Sequence, residues 1–269
     1  MAVVSHSREG LCERSRRAAR DTIFRFVTAK RSTLRGTAKR STPRHASATR
    51  CIVPENFIPT DKTRVVREPQ RGVYDRAAIY KILDEGFVCH VGFAVGGQPY
   101  VIPTMYARIG DALYFHGSAA SRMLRNLSEG AAVCLTVSLI DGLVLARSVF
   151  NHSMNYRSVV ALGTATLVDD PGEKLEALRA FTEKILPGRW QEARGPSEKE
   201  MKATSILRLP LSEVSAKVRA GGVEDDAEDY ARKIWAGIIP MHLAAGAPVR
   251  DERCDPAIPL PDYLTKYTR

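Results

Sequence analysis

The chain has 269 residues, enough for one large domain or two small ones with a buried core, and 44% of its residues are hydrophobic. Its formal net charge of +10 comes from the first fifty residues, which hold thirteen Lys or Arg and three Asp or Glu. The remaining residues hold 27 of each sign, and this balance argues against nucleic-acid binding by the folded part. The longest apolar runs, such as residues 131–140, are too short to span a bilayer, so no membrane partner is expected.

Residues 1–59 are predicted to form a basic tail or targeting segment. They are rich in Arg, Ser, Thr and Ala and poor in acids, which fits a transit peptide, a disordered tail or an upstream translation start equally well. We expect ordered structure to begin near Thr60–Arg71. The expected location is cytoplasmic, or mitochondrial if residues 1–50 are a transit peptide.

The five cysteines are odd in number and widely spaced, and they contain no CxxC pair. This pattern favours a reducing compartment over a disulfide framework or a zinc site. Cys89 and Cys134 stand in apolar stretches, so we expect them to serve as small core residues.

The ordered part opens with a predicted helix over "YDRAAIYKILDEG" (74–86), where Asp75 is the N-cap and Gly86 ends the helix. Three strands then follow across two Gly-containing turns, which predicts a meander. These strands cover 87–95, 99–109 and 112–116. In the first of them, the odd-numbered residues from Phe87 to Val95 are apolar and share one face.

Helices are inserted among the later strands and do not alternate with them. Together with the meander, this favours a small antiparallel six-stranded barrel over a doubly wound sheet, within a mainly β, α+β class. We assign the barrel domain to residues 60–220. Its later elements are a helix at 119–128, strands at 131–139 and 155–168, a helix at 170–186, and a strand at 204–220 bent or broken near Pro210.

The C-terminal segment, 221–269, begins with an acidic stretch carrying Trp235 and continues as a Pro-rich tail. We predict a short helix around Trp235, followed by an extended tail. Because the segment carries large apolar side chains, we expect it to pack on the barrel or on a partner subunit.

The stretch "LYFHGSAASRMLRNL" (113–127) leaves a strand through hydroxyl groups and enters a helix carrying guanidinium groups. Ser118 is placed to cap a helix that starts at Ala119, whose free amides would attract an anion. Ser121 and Arg122 would add a hydroxyl and a bidentate guanidinium for a phosphate, and Gly117 would allow close approach. The same residues also fit an ordinary capped surface helix with solvated arginines.

The ordered series "GQPYVIPTMY", "GDALYFHGSAASRMLRNL", "AAVCLTV" and "NYRSVVALGTATLVDD" resembles the flavin-binding split-barrel proteins related to pyridoxamine 5′-phosphate oxidase. Within them it is most similar to the branch that contains the nitroimidazole-resistance (Nim) proteins. The resemblance covers about residues 62–220. It implies a homodimer of six-stranded split barrels with FMN in a groove between the subunits.

The resemblance also implies which residues contact FMN. The ring would lie along the strand Val101–Tyr106, the phosphate against the pair Ser121-Arg122, and a facing strand would approach the flavin from the other side. The implied cofactor contacts are Val101, Ile102, Pro103, Thr104, Gly117, Ser118, Ser121, Arg122, Arg157 and Ser158. His116 matches a histidine near the Nim active site, where it would donate a proton; it could equally be a strand-end histidine bonded to the turn.

The chain departs from the oxidases that make pyridoxal phosphate. It lacks their Arg-x-x-x-Lys pattern in "PYVIPTMY", and Met123 stands where they carry Lys. Oxidation of pyridoxine phosphate is therefore not expected. The resemblance favours an FMN-dependent oxidoreductase that uses NAD(P)H or another donor to reduce a small acceptor.

Three alternatives remain open at the level of sequence, one of them a nucleic-acid-associated protein that acts through the basic tail. The chain could be a carrier that binds flavin or haem without turnover, and haem or deazaflavin could replace FMN. A haem-binding variant would need a ligand such as His90, whereas His152 and His242 stand in loops without metal-ligand spacing. The chain has no HExxH, GxSxG, P-loop or Rossmann pattern, which gives no support to hydrolase or NTPase functions.

Overall fold

The computed structural model describes residues 54–268. Most of the predicted tail therefore lies outside the described residues. Ordered structure begins earlier than predicted, because Phe57 is already buried in the core and its amide bonds to the Tyr74 carbonyl at 2.8 Å. The guanidinium carbon of Arg76 lies 3.9 Å from the centroid of the Phe57 ring, which helps to fix this first segment in place.

The described residues contain ten strands in one antiparallel sheet. The predicted mainly β architecture with inserted helices is confirmed, whereas the sheet has more strands than the six predicted and its path does not close. Three of the strands are only two to four residues long, too short to give a sequence signal. The strands are β1 Gly72–Val73, β2 Val88–Val95, β3 Gln98–Ile109, β4 Ala112–Ser118, β5 Ala132–Leu145, β6 Ser153–Thr164, β7 Thr166–Leu167, β8 Thr204–Pro210, β9 Glu213–Arg219 and β10 Gly237–Pro240.

The strand order is β1-β9-β6-β5-β2-β3-β4-β8-β7, and β10 pairs with β5. The predicted meander is confirmed as β2, β3 and β4. Gly97 in its first turn has a φ of +82°, which favours glycine. The segment predicted as a strand bent or broken near Pro210 is broken there into two strands: β8 pairs with β4, and β9 pairs with β6. The chain turns between them just after Pro210, which cannot donate a ladder hydrogen bond.

Helices lie around the sheet, and the longest two match their predictions closely. Asp75 caps the first by accepting from the Ala78 amide at 2.7 Å. A Cβ on Gly86, at the end of that helix, would lie 2.6 Å from a Val137 methyl carbon, so this position requires glycine. The helices are α1 Arg76–Glu85, α2 Arg122–Ser128, α3 Pro171–Ile185, α4 Arg189–Glu192, α5 Glu198–Ala203 and α6 Asp262–Thr265.

The main core lies on one side of the sheet and includes Cys89, Val91 and Phe93 from β2. A second, smaller core lies between α3 and the other side of β4, where Phe181 packs with Tyr114. Cys134 is only half-buried, because it lies opposite Gly92 and so faces away from the main core. The prediction of a buried thiol is therefore right for Cys89 and wrong for Cys134.

The C-terminal segment differs from its prediction. Residues Asp229–Ala231 form a single 3-10 turn, and Trp235 lies outside any helix with 68% of its surface exposed. Closely spaced acids in this stretch disfavour a helix through like-charge pairs, and Ile238 and Ile239 suit the strand β10 that follows. None of the helices in residues 54–268 is long and apolar enough to cross a membrane.

Candidate functional site

The strands β3 and β4 separate part of the way along their length. β3 pairs with β4 only from Tyr106 to Ile109, while residues 98–105 of β3 have β2 as their one strand neighbour. β4 instead continues beside β8 as far as Ser118. We call the resulting gap the split; one of its sides is an edge of β3 whose backbone groups have no strand partner and can bond a ligand.

The other side of the split is the corner where β4 turns into α2, comprising residues 117–122. The Ser121 amide bonds to the Ser118 carbonyl at 2.8 Å and closes a turn, while the Ala119 amide reaches the Ala203 carbonyl. These bonds keep residues 118–121 out of the helix. Consequently α2 starts at Arg122, three residues later than predicted.

Ser121 occupies the N-cap position, but its hydroxyl makes no capping hydrogen bond. Ser118 is not the N-cap; its hydroxyl accepts from the Ala120 amide within the turn at 3.3 Å. A Cβ on Gly117 would meet Leu124 only at an ordinary contact distance of 3.7 Å. The packing of the chain itself therefore does not demand glycine at 117, and the position is open to a ligand.

Arg122 is exposed, and its guanidinium donates no hydrogen bond to any residue between 54 and 268. Its neighbours Met123 and Leu124 are buried, which fixes the helix and directs Arg122 outward. The guanidinium carbon lies 5.1 Å from the centroid of the Tyr100 ring. Because Tyr100 belongs to β3, this contact spans the split.

Tyr100 was missed in the sequence analysis. Its ring stacks on Phe93 with centroids 5.6 Å apart, so Phe93 holds in place the ring that Arg122 contacts. Alternation within β3 predicts that Tyr100 shares a face with Ile102, but it cannot show that the helix after β4 returns to this point. The Ser121 hydroxyl, the Arg122 guanidinium and the free β3 edge together suit an anion attached to a planar ring.

The residues expected along the flavin ring form the open edge of β3. Val101 is 64% exposed, and Ile102 and Pro103 are also exposed, whereas Thr104 is half-buried. Val101 and Pro103 lie opposite Gly92 and His90 of β2, on the side of the sheet away from the main core. We call that side of β2, β3, β5 and β6 the outer face.

His116 is the first residue of β4 beyond its last pair with β3, so it lies at the apex of the split. Its ring packs against Phe181 of α3 with centroids 4.4 Å apart, and its buried Nδ1 has no hydrogen-bond partner. Burial lowers the pKa of His116 below its usual 6.5. The imidazole is therefore neutral at pH 7, which suits a group that relays a proton better than one that is already protonated.

Arg157 and Ser158 are placed on β6, but their polar groups are engaged by the protein. Arg157 bonds to both carboxylate oxygens of Asp141, at 2.9 and 2.6 Å, and also to Glu85. These bonds raise the pKa of Arg157 above its already high value. Ser158 donates to the Lys217 carbonyl at 3.2 Å. Contact of either side chain with a flavin remains a prediction.

Two further features of residues 54–268 bear on where a ligand could bind. No group of three His, Cys, Asp or Glu side chains there could hold a metal ion by itself. A shallow cavity of about 410 Å³ lies between Leu186 and the C-terminal Tyr263 and Tyr267, far along the chain from the split. Its polar groups are Lys266, Thr268 and two tyrosine hydroxyls, and both of these hydroxyls already donate to the protein, so the split is the better candidate for an anion.

Two solved structures are similar to this chain over nearly their whole length. The flavocytochrome Anf3 from Azotobacter vinelandii is 42% identical, with a TM-score of 0.74, covering 78% of this chain and 98% of its own. An FAD- and haem-binding protein from Mycobacterium smegmatis is 34% identical, with a TM-score of 0.71, covering 74% and 97%. A Bacteroides thetaiotaomicron protein described as a 5-nitroimidazole antibiotic resistance protein matches more distantly, at 24% identity and a TM-score of 0.46, covering 55% and 86%.

Among curated proteins, none matches this sequence. The family model described as pyridoxamine 5′-phosphate oxidase matches residues 75–218, more than half of the chain. The predicted resemblance is thus confirmed, and the fold is the one found in flavin-binding members of that group. On this evidence the chain belongs to the pyridoxamine 5′-phosphate oxidase family.

Proposed function

We propose that this protein is a flavin-dependent oxidoreductase that binds a flavin nucleotide in the split between β3 and β4. One observation carries the proposal: the unpaired edge of β3 faces an unbonded guanidinium and hydroxyl, and Arg122 already reaches across the gap to Tyr100. A flavin nucleotide has the matching chemistry, a planar ring with hydrogen-bonding edges joined by a flexible chain to a phosphate.

The protein's own groups would bind and orient the cofactor. Ser121 and Arg122 would hold the phosphate, the backbone of Val101–Thr104 would bond the ring, and His116 would pass a proton at the apex of the split. When bound, a flavin supplies transfer of a hydride or of single electrons. NAD(P)H as donor and a small organic acceptor are the partners that we propose for it.

FMN is the smallest nucleotide that satisfies this corner, since one phosphate suffices. FAD carries the same phosphate next to the ribityl chain, and a similar protein of M. smegmatis is described as binding FAD. Chromatography of the flavin released from denatured protein distinguishes the two. Either result supports the site, whereas a protein that contains no flavin and takes up neither nucleotide contradicts it.

We further propose a homodimer that closes the split. In one chain the outer face leaves large apolar side chains uncovered, among them Val88, Val101 and Ile140. A monomeric soluble protein rarely exposes so many together on one sheet. A second subunit on this face would exclude water from the open edge of β3.

Haem is the second prosthetic group that we propose, because two similar structures, 42% and 34% identical, are described as a flavocytochrome and as an FAD- and haem-binding protein. In such a protein, electrons would pass between the flavin and the haem. The carrier alternative is separated from the enzyme by anaerobic mixing with NADH or NADPH. Bleaching of the flavin band supports an oxidoreductase, whereas a band that stays oxidised indicates a carrier.

A further inference from the structure

The loop between β5 and β6 holds two bare apolar side chains in a fixed position. Val149 and Phe150 are 90% and 93% exposed. The Asp225 side chain has no exposed surface, and its carboxylate accepts hydrogen bonds from the backbone amides of Arg147 and Ser148, at 3.0 and 3.3 Å. These bonds fix the start of the loop, so the exposure of Val149 and Phe150 belongs to an ordered conformation.

The same loop orients an exposed imidazole. Nδ1 of His152 lies 2.8 Å from the carbonyl oxygen of Ser148. Since a carbonyl can only accept, Nδ1 carries the proton, and the lone pair belongs to Nε2. Histidines that bind metals commonly donate their second ring nitrogen to a backbone carbonyl in this way, which fixes the ring and the tautomer.

An apolar platform lies next to this imidazole. Met154 of β6, Leu143 of β5 and Ile239 of β10 are in register on three adjacent strands, so their side chains share the outer face. Met154 and Ile239 are exposed, and Leu143 is half-buried. His152 precedes Met154 by two residues in extended backbone and therefore projects to the same side.

This platform is separate from the proposed flavin site. The flavin strand β3 adjoins β2, and His90 of β2 pairs with Thr136 of β5. Leu143 stands seven residues further along β5, about 20 Å away by the rise of a strand. A ligand on the platform would occupy a second position on the outer face.

The other three described histidines are less suited to bind an iron. The ring of His90 makes no hydrogen bond among residues 54–268 that would orient it. His116 is packed against Phe181. His242 is exposed in an extended segment.

We propose that Nε2 of His152 would bind the iron of a haem, and that Met154, Leu143, Ile239, Val149 and Phe150 would supply its apolar contacts. The assignment rests on the proposed haem binding. It names a residue that the sequence analysis set aside. The bond formed is a coordinate one from the Nε2 lone pair, so no proton or electron leaves the protein.

The test uses the full-length protein expressed with a haem precursor, and compares the wild type with His152→Ala, His152→Met and His90→Ala. Absorption spectra of the ferric and dithionite-reduced forms report coordination, and a pyridine extract reports haem content. We expect His152→Ala to lose most of its haem. The Soret band of any haem that remains should shift, and added imidazole should return this band to its wild-type position. His152→Met should shift the spectrum through a thioether ligand, while His90→Ala keeps the wild-type spectrum.

The outcomes separate the two proposals. Flavin content and far-UV circular dichroism of the same samples show that each variant is folded. Unchanged spectra in both His152 variants would overturn the ligand assignment and leave haem binding intact. A wild-type protein that binds flavin but takes up no haemin would overturn both the haem proposal and the assignment of His152. The flavin-site proposal would be unaffected.

Discussion

The Arg122 guanidinium carbon lies 5.1 Å from the centroid of the Tyr100 ring, across the gap where β3 and β4 separate. Tyr100 in turn stacks on Phe93, which is fixed in the main core. The aromatic pair therefore holds Arg122 over the split without using any of its hydrogen-bond donors. A guanidinium held in this way is ready to bind a phosphate at little cost in side-chain entropy.

Replacing Arg122 with Ala should weaken flavin-nucleotide binding by roughly 1.5–3 kcal/mol, the scale of a charge-assisted hydrogen bond, or about 10- to 150-fold in Kd. Quenching of flavin fluorescence on titration measures this. Riboflavin, which lacks the phosphate, should bind both proteins equally.

Arg125→Ala is the matched control, because Arg125 is exposed on the same helix, one turn further from the split. It should change the Kd for FMN by less than a factor of about three, as expected for an exposed charge. Equal losses in both variants would indicate a general electrostatic effect. No loss in a folded Arg122→Ala would place the phosphate elsewhere.

Arg157 offers a contrasting prediction, because its guanidinium binds Asp141 and Glu85. Arg157→Met leaves the half-buried Asp141 carboxylate without this cation and should lower the free energy of unfolding by about 1–3 kcal/mol. Urea unfolding measures the change. If Arg157 serves only to pair with Asp141 and Glu85, the folded Arg157→Met variant should bind FMN with the wild-type Kd. A large rise in Kd would instead support the flavin contact implied by the family resemblance.

The sequence was sufficient for the elements that carry a repeating signal. Alternation from Phe87 to Val95 located β2 and its core face, and Asp75 and Gly86 located the ends of α1. The start of α2 was misplaced, because hydroxyl groups suit both a helix cap and the turn that in fact forms. The choice depends on a long-range bond from the Ala119 amide to the Ala203 carbonyl, which no local pattern contains.

The site was predictable in part for the same reason. The pair Ser121-Arg122 is local and was identified, whereas Tyr100 becomes part of the site only through the register of β2, β3 and β4. Arg157 shows the converse. Its partners Asp141 and Glu85 are 16 and 72 residues away in sequence, so the hydrogen bonds that Arg157 donates to them could not be predicted from the sequence.

The proposed dimer is tested by placing charge on the outer face. Val88→Lys combined with Ile140→Lys introduces two cations at exposed apolar positions on β2 and β5. Burying them against a second subunit is unfavourable, so light scattering should show a monomer at concentrations where the wild type is a dimer. Leu175→Lys, at an exposed apolar position on α3, is the control and should leave the dimer intact. A charged double variant that remains dimeric would move the interface away from this face.

His116 predicts a specific pH dependence of stability. Burial lowers its pKa in the folded state below the usual 6.5, so on acidification the unfolded chain takes up a proton that the folded chain resists. The stability that His116 contributes is therefore complete above pH 6.5. It is lost as the pH falls from there through the lowered folded-state pKa.

Urea unfolding of the wild type and His116→Gln between pH 8 and pH 5 measures this loss. The glutamine is neutral throughout, so the variant should lose less stability on acidification than the wild type, and the difference between them should grow only below about pH 6.5. His242→Gln, which replaces an exposed histidine in the C-terminal segment, should follow the wild-type curve. If His116→Gln also follows that curve, the imidazole must be freely protonated in the folded protein. A freely protonated His116 would act at the split as an imidazolium acid, and not as a neutral imidazole that relays a proton.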